Sequence, residues 1–239
     1  MDQTSRSGGN EIAFLDGLAR STSRRRFLQW SGLTIAVAAV GCSGDDNTGP
    51  GTGGGAVNLG TGDTAILNYA YALEQLEAAF YVQVATSFYS GATASEQAIL
   101  TDIRDHEVIH REFLKAALGA AAIGALSVNF TSIDFTSRAS VLGAAKAFED
   151  LGVSAYNGAG KLLTNPDYLV VAGKIVSVEA RHAATIRDLL APKTASFAGG
   201  DVVDANGLDV VNTPATVLDA SHAGAYVTTT IDASGIPTA

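Results

Sequence analysis

The chain has 239 residues, 47% of them hydrophobic and 16% charged, enough for one domain with a full core and short for two. Its net charge of −9 supplies no basic stripe to neutralise phosphates, which argues against nucleic acid as a partner and against a polybasic membrane surface.

The N-terminal stretch reads as an address. SRRRFLQ, Ser23 to Gln29, carries adjacent arginines ahead of Phe27 and Leu28, and an apolar run from Trp30 to Val40 follows. That run is well short of the roughly twenty residues a spanning helix needs. It resembles a twin-arginine export signal. The only cysteine, Cys42, closes AVGC and cannot form an internal disulfide. Its setting resembles a bacterial lipobox, with Ala39 where such boxes usually have leucine. The expectation is a signal peptide over residues 1–41 and an acylated Cys42 that anchors the mature chain to a membrane. The protein would then be exported, to the periplasm or the cell envelope. Residues 42–62 are rich in glycine and poor in apolar side chains, the composition of a flexible tether.

Four helical segments come next, forming a domain over residues 63–191. The first is expected from Asp63, a good N-cap, to Tyr89. The second runs from Ala94 to Leu118, with Thr93 and Glu96 spaced as a capping box and Gly119 as its stop. The third runs from Arg138 to Leu163. The fourth starts at Pro166 behind Asn165 and stops before Pro192. Helices one and two are close in sequence, as are three and four, so each pair should be antiparallel. The nineteen residues between helices two and three can run the length of a bundle. Two hairpins joined by one long crossover make an all-α, ferritin-like four-helix bundle. Residues 192–239 form a polar extension expected to pack on the bundle, with one short helix in VNTPATVLDA.

The chemistry sits in a repeated pattern. Two of the four histidines follow a glutamate by three residues, Glu107 with His110 and Glu179 with His182. Each pair shares an otherwise apolar helical face: Leu100, Ile103 and Leu114 on one side, Ala172, Ile175, Ala183 and Ile186 on the other. Charge on such a face is costly unless it is paired or bound to a metal. Upstream, Glu74 precedes Tyr81 by seven residues and Glu149 precedes Tyr156 by seven. The halves thus share one plan: Glu, Tyr two turns later, then Glu-x-x-His on the return helix. Glu77, Asp150, His106 and His222 fall outside it and read as surface or hydrogen-bonding residues.

With LEQLEAAFY and FEDLGVSAY, this plan resembles the ferritin-like superfamily over about Asp63 to Leu190. Within it, the chain is similar to the exported branch known as desiccation-related proteins. The resemblance implies two iron or manganese ions. Glu107 and Glu179 would bridge them, Glu74 and His110 would complete one, and Glu149 and His182 the other. Tyr81 and Tyr156 would be hydrogen-bond or redox partners beside them. Two function classes follow: a redox-active di-metal protein working on oxygen or peroxide in stress protection, and a non-catalytic structural or desiccation-protective protein with a vestigial site. Whether the protein is an enzyme, and whether it forms a homo-oligomer, are left open by the residues.

Overall fold

The computed structural model describes residues 55–238. The expected signal peptide, Cys42 and most of the expected tether lie outside the described residues. Four long helices carry the architecture: α1 (Gly62–Thr86), α2 (Ala94–Leu118), α3 (Arg138–Gly160) and α4 (Pro166–Leu190). A four-residue helix, α5 (Pro214–Val217), and a short parallel pair, β1 (Val57–Asn58) with β2 (Ile231–Asp232), complete the regular structure with a few 3-10 turns. No helix among the described residues is long and apolar enough to cross a membrane.

Local chemistry sets the helix ends. At α2 the Thr93 hydroxyl accepts from the Glu96 N–H at 3.2 Å, while the Glu96 carboxylate accepts from the Thr93 N–H at 2.9 Å. Two orphan donors are thereby satisfied. Gly119 stops the helix at φ 55, where a Cβ would be strained. Asn165 caps α4 by accepting from the Asp167 N–H at 2.9 Å, with Pro166 in the first turn. At α3 and α1 the ends differ from expectation. Leu162 and Leu163 bond back to Ala159 and Gly160, a tight turn that closes α3 at Gly160. Thr61, not Asp63, is the α1 N-cap. Asp63 reaches across instead, accepting from the N–H groups of Thr164 (2.8 Å) and Asn165 (2.9 Å). It caps its neighbour.

The tether is also shorter than expected. Val57 N–H donates to Thr230 O at 2.8 Å and Leu59 N–H to Asp232 O at 3.1 Å, and Leu59 is fully buried. The entry to α1 is thus held by the far end of the chain, a partner that local composition cannot reveal.

Reciprocal contacts fix the topology. Glu74 of α1 meets Tyr156 of α3, while the later Tyr81 meets the earlier Glu149, so α1 and α3 run antiparallel. His110 approaches Glu179 and His182 approaches Glu107, so α2 and α4 do likewise. With each hairpin antiparallel through its short link, α2 and α3 must point the same way. The connection over 119–137 therefore travels the length of the bundle. It lies over α1: Asn68 donates to Ala121 O at 2.9 Å, and Gln75 accepts from the Leu126 N–H at 2.9 Å. This cover explains why α1 is buried nearly all round, including Tyr69, Leu73, Leu76 and Phe80.

The C-terminal extension packs on α3 and α4, as expected. Asn212 N–H donates to Ser154 O at 3.1 Å, and a Cβ at Gly158 would come within 1.8 Å of the Asn212 carbonyl oxygen. Glycine is required there by close approach, not by a turn. Arg187 of α4, 2% exposed, grips Asp150 through two 2.7 Å hydrogen bonds and Asp201 through bonds of 3.1 and 2.9 Å.

Candidate metal centre

The bundle brings six polar side chains to one place in its interior. Glu74 comes from α1, Glu107 and His110 from α2, Glu149 from α3, Glu179 and His182 from α4. The four glutamates are 0% exposed and the histidines 9% and 4%. The i, i+3 spacing puts each Glu and His on one face of its helix, and the antiparallel pairing turns both faces inward at the same level.

His110 Nδ1 lies 2.8 Å from Glu179 Oε1 and 3.5 Å from Glu74 Oε2. His182 Nδ1 lies 2.7 Å from Glu107 Oε1 and 3.5 Å from Glu149 Oε2. These atoms are close, yet they do not point at each other. Among the described residues, ten buried side-chain atoms lack a partner with hydrogen-bond geometry, and eight are here: Glu74 Oε2, both oxygens of Glu107 and Glu179, Glu149 Oε2 and the two Nδ1 atoms. A hydrogen bond weakens steeply off axis, so these close approaches leave the atoms unsatisfied. The lone pairs converge on common space.

Two groups result. Glu74, Glu107, His110 and Glu179 each offer one atom, all within 4.8 Å of one another, and so do Glu107, Glu149, Glu179 and His182. Glu107 and Glu179 belong to both.

Charge in this setting is strained. Burial, opposed by the facing histidines, pushes Glu107 up to about 7. Glu179 is driven well above the carboxylate range by burial and then by the charge of Glu107. Burial also raises Glu74, but the facing His110 and the Tyr156 hydroxyl outweigh it, leaving a lowered group. For His182 burial lowers the value, and the carboxylates of Glu107 and Glu149 reverse that to about 11.

The tyrosines sit crosswise. Tyr156 donates to Glu74 Oε1 at 2.6 Å, and Tyr81 donates to Glu149 Oε1, so each half's tyrosine holds the other half's glutamate. Burial, then the glutamate charge, raises both phenols well above their ordinary value and keeps them as donors.

Two neighbours depart from the sequence reading. His106, expected to be solvated, places its Nδ1 2.9 Å from His182 Nε2, the rings within 10° of parallel. With His182 Nδ1 turned to the carboxylates, its second nitrogen faces outward and His106 meets it. If Nδ1 gives its lone pair to a cation, the proton belongs on Nε2, and His106 fixes that tautomer. Glu77, expected to be a surface or hydrogen-bonding residue, is 3% exposed. A Cβ at Gly152 would come within 2.9 Å of Glu77 Oε1 and 3.6 Å of Glu179 Oε2, so the Glu77 carboxyl lies beside the cluster. Asp150 pairs with Arg187 and takes no part.

The donor set fits divalent cations. Buried carboxylates demand positive charge, and among the described residues the cluster's ion-pair partners are the two histidines alone. Converging oxygen and imidazole lone pairs supply what a metal ion would use. Architecture and cluster together define a helical bundle with a buried carboxylate–imidazole centre compatible with metal. The chain belongs to the ferritin-like domain family, whose profile matches residues 62–192, the span of α1 to α4. No curated protein matches the chain.

Proposed function

We propose that the protein is an exported ferritin-like protein whose bundle holds two iron or manganese ions for redox chemistry on oxygen or peroxide, in protection against oxidative stress. The observation that carries the proposal is the eight unpartnered atoms converging from six buried residues. Left without cations, four carboxylates would share a dry interior at heavy cost. Glu107 and Glu179, common to both groups, would serve both ions, with Glu74 and His110 completing one set of ligands and Glu149 and His182 the other. Four carboxylates balance two divalent charges, and mixed oxygen and imidazole donors suit iron or manganese.

Bound there, such a pair would supply one-electron redox chemistry toward a small oxidant. The chain's own residues do the rest. Tyr156 and Tyr81 occupy one oxygen of Glu74 and of Glu149, which leaves the other oxygen of each for a cation. His106 orients His182. Leu100, Ile103, Leu114 and Ile186, each at most 4% exposed, wall off bulk water. Export is supported by the adjacent arginines of SRRRFLQ, and an acyl anchor by Cys42 in AVGC.

The test is metal analysis of protein purified from its native compartment without added metal or chelator, followed by peroxide challenge. The expected result is about two iron or manganese per chain, with peroxide consumed in proportion to metal. Metal-free protein that takes up neither ion would overturn the proposal. An intact mass of membrane-extracted protein that begins upstream of Cys42, or lacks acyl mass, would remove the anchor and leave the centre standing.

A further inference from the structure

The step along the chain that carries Glu74 to Glu149 and Tyr81 to Tyr156 also carries Glu77 to Gly152. At the six candidate ligand positions and the two tyrosines the halves carry the same residue type. Here one half places a carboxylate and the other removes its side chain. The two positions also meet in space, because Glu77 Oε1 occupies the volume a Cβ at Gly152 would need. Glycine inside a helix costs about 1 kcal/mol relative to alanine, and α3 runs unbroken through this one. No positive φ requires glycine at this point. The need is room for Glu77.

Glu77 lies outside both four-atom groups. Yet burial first, then the charges of Glu179, Glu107, Glu74 and Glu149, raises it well above the carboxylate range. Two divalent ions balance the four ligand carboxylates. They leave nothing for a fifth buried carboxylate on the Glu179 side, so Glu77 is better matched by a centre that carries extra positive charge.

Building on the metal reading above, we propose that Glu77, admitted by Gly152, is a specificity-determining carboxylate that matches the centre to ions of higher charge. It favours trivalent over divalent occupancy while the six ligand side chains stay the same. The chemical class it selects is the trivalent form of an oxygen-loving metal.

Competition between two redox-inert occupancies tests this without reference to turnover. Wild type, Glu77→Gln and Gly152→Ala are equilibrated with manganese(II) and lutetium(III) at a fixed ratio, desalted and analysed for both metals. Glu77→Gln keeps the shape and removes the charge. Gly152→Ala keeps the charge and pushes it away, with gain rather than loss in helix propensity. Each variant should lower the bound lutetium-to-manganese ratio by about tenfold or more, as expected when one unit charge at short range is lost or moved. Manganese alone should still reach wild-type stoichiometry. An unchanged ratio in Glu77→Gln overturns the inference while the metal centre stands. Wild type that binds neither ion overturns the metal centre itself, and this inference with it.

Discussion

The bundle buries charge in two places, and the two are built on opposite principles. At Arg187 the guanidinium is 2% exposed, and its donors end on Asp150, Asp201 and the Ser196 carbonyl at 2.7–3.1 Å. Nothing is left over. In the carboxylate cluster the four glutamates are 0% exposed, and eight atoms of the six side chains are left over. Burial of charge alone therefore does not mark a functional centre, because a structural tie buries it too. The mark is whether the protein satisfies its own charges. Arg187 ties the C-terminal extension to α3 and α4, whereas the cluster holds donor atoms that the described residues leave without a hydrogen-bond partner.

The widest way to break this contrast is to remove a bridging residue. Glu107→Ala or Glu179→Ala should reduce bound metal from about two ions to none, since each serves both groups. Metal at a thousandfold excess over its dissociation constant stabilises wild type by about 4 kcal/mol, and these variants should lose that increment. Their chelated forms should melt no lower than chelated wild type, because each loses a buried carboxyl group whose oxygens the fold leaves without partners. Melting curves with and without chelator, beside metal analysis, check this. A lower melting point in the chelated variants would make the cluster structural, like Arg187.

Arg187→Ala should do the reverse. It strands Asp150 and releases Asp201, costing about 3 kcal/mol with or without metal, and metal stoichiometry should hold. Urea unfolding of chelated and loaded protein reads both arms.

A smaller effect belongs to His106. His106→Ala frees the outer nitrogen of His182 and should weaken metal binding about tenfold, with the chelated melting point unchanged. Titration with manganese(II) measures it.

The subtlest expectation is in the direction of pH dependence. Glu107 titrates near 7 in the fold against an ordinary 4.5, so the folded state holds more protons between these values. Stability of the chelated protein then falls as pH rises across that window. His182, raised from 6.5 to about 11, contributes stability fully present below 6.5 and lost as pH rises through 11. Both slopes point down with rising pH. Asp201, drawn to about 2 chiefly by Arg187, contributes stability present above 3.8 and lost as pH falls toward 2. Metal should abolish the first slope, since ligands must shed protons to bind, and leave the acid limb intact. Melting temperature against pH, with and without chelator, separates them.

Much of the centre was legible because it is periodic. Glu-x-x-His twice on apolar helical faces, and Glu followed by Tyr twice, are patterns within single helices. The geometry brings all eight of those side chains together. The Thr93 and Glu96 box and the Asn165–Pro166 start were legible for the same reason, since caps are local. What escaped depends on distant partners. Glu77 looks like a surface or hydrogen-bonding residue because α1 gives no sign that α3 will bring Gly152 against it. The glycine at the matching position of the other half was the available signal. His106 looks solvated until α4 brings His182 beside it. Asp63 resembles an N-cap, yet its carboxylate reaches Thr164 and Asn165, about a hundred residues away. Val57 and Leu59 sit in tether-like composition, and only Thr230 and Asp232 make them part of the fold.

The most direct test of the central claim is anomalous diffraction from crystals grown with manganese(II), recorded for wild type and Glu107→Ala. Two peaks should appear inside the wild-type bundle, roughly 3.5–4 Å apart as in two-metal sites. They should be flanked by Glu107 and Glu179, with His110 on one and His182 on the other, and both should vanish in the variant. A wild-type map with manganese only at surface carboxylates, and none among these six side chains, would contradict it.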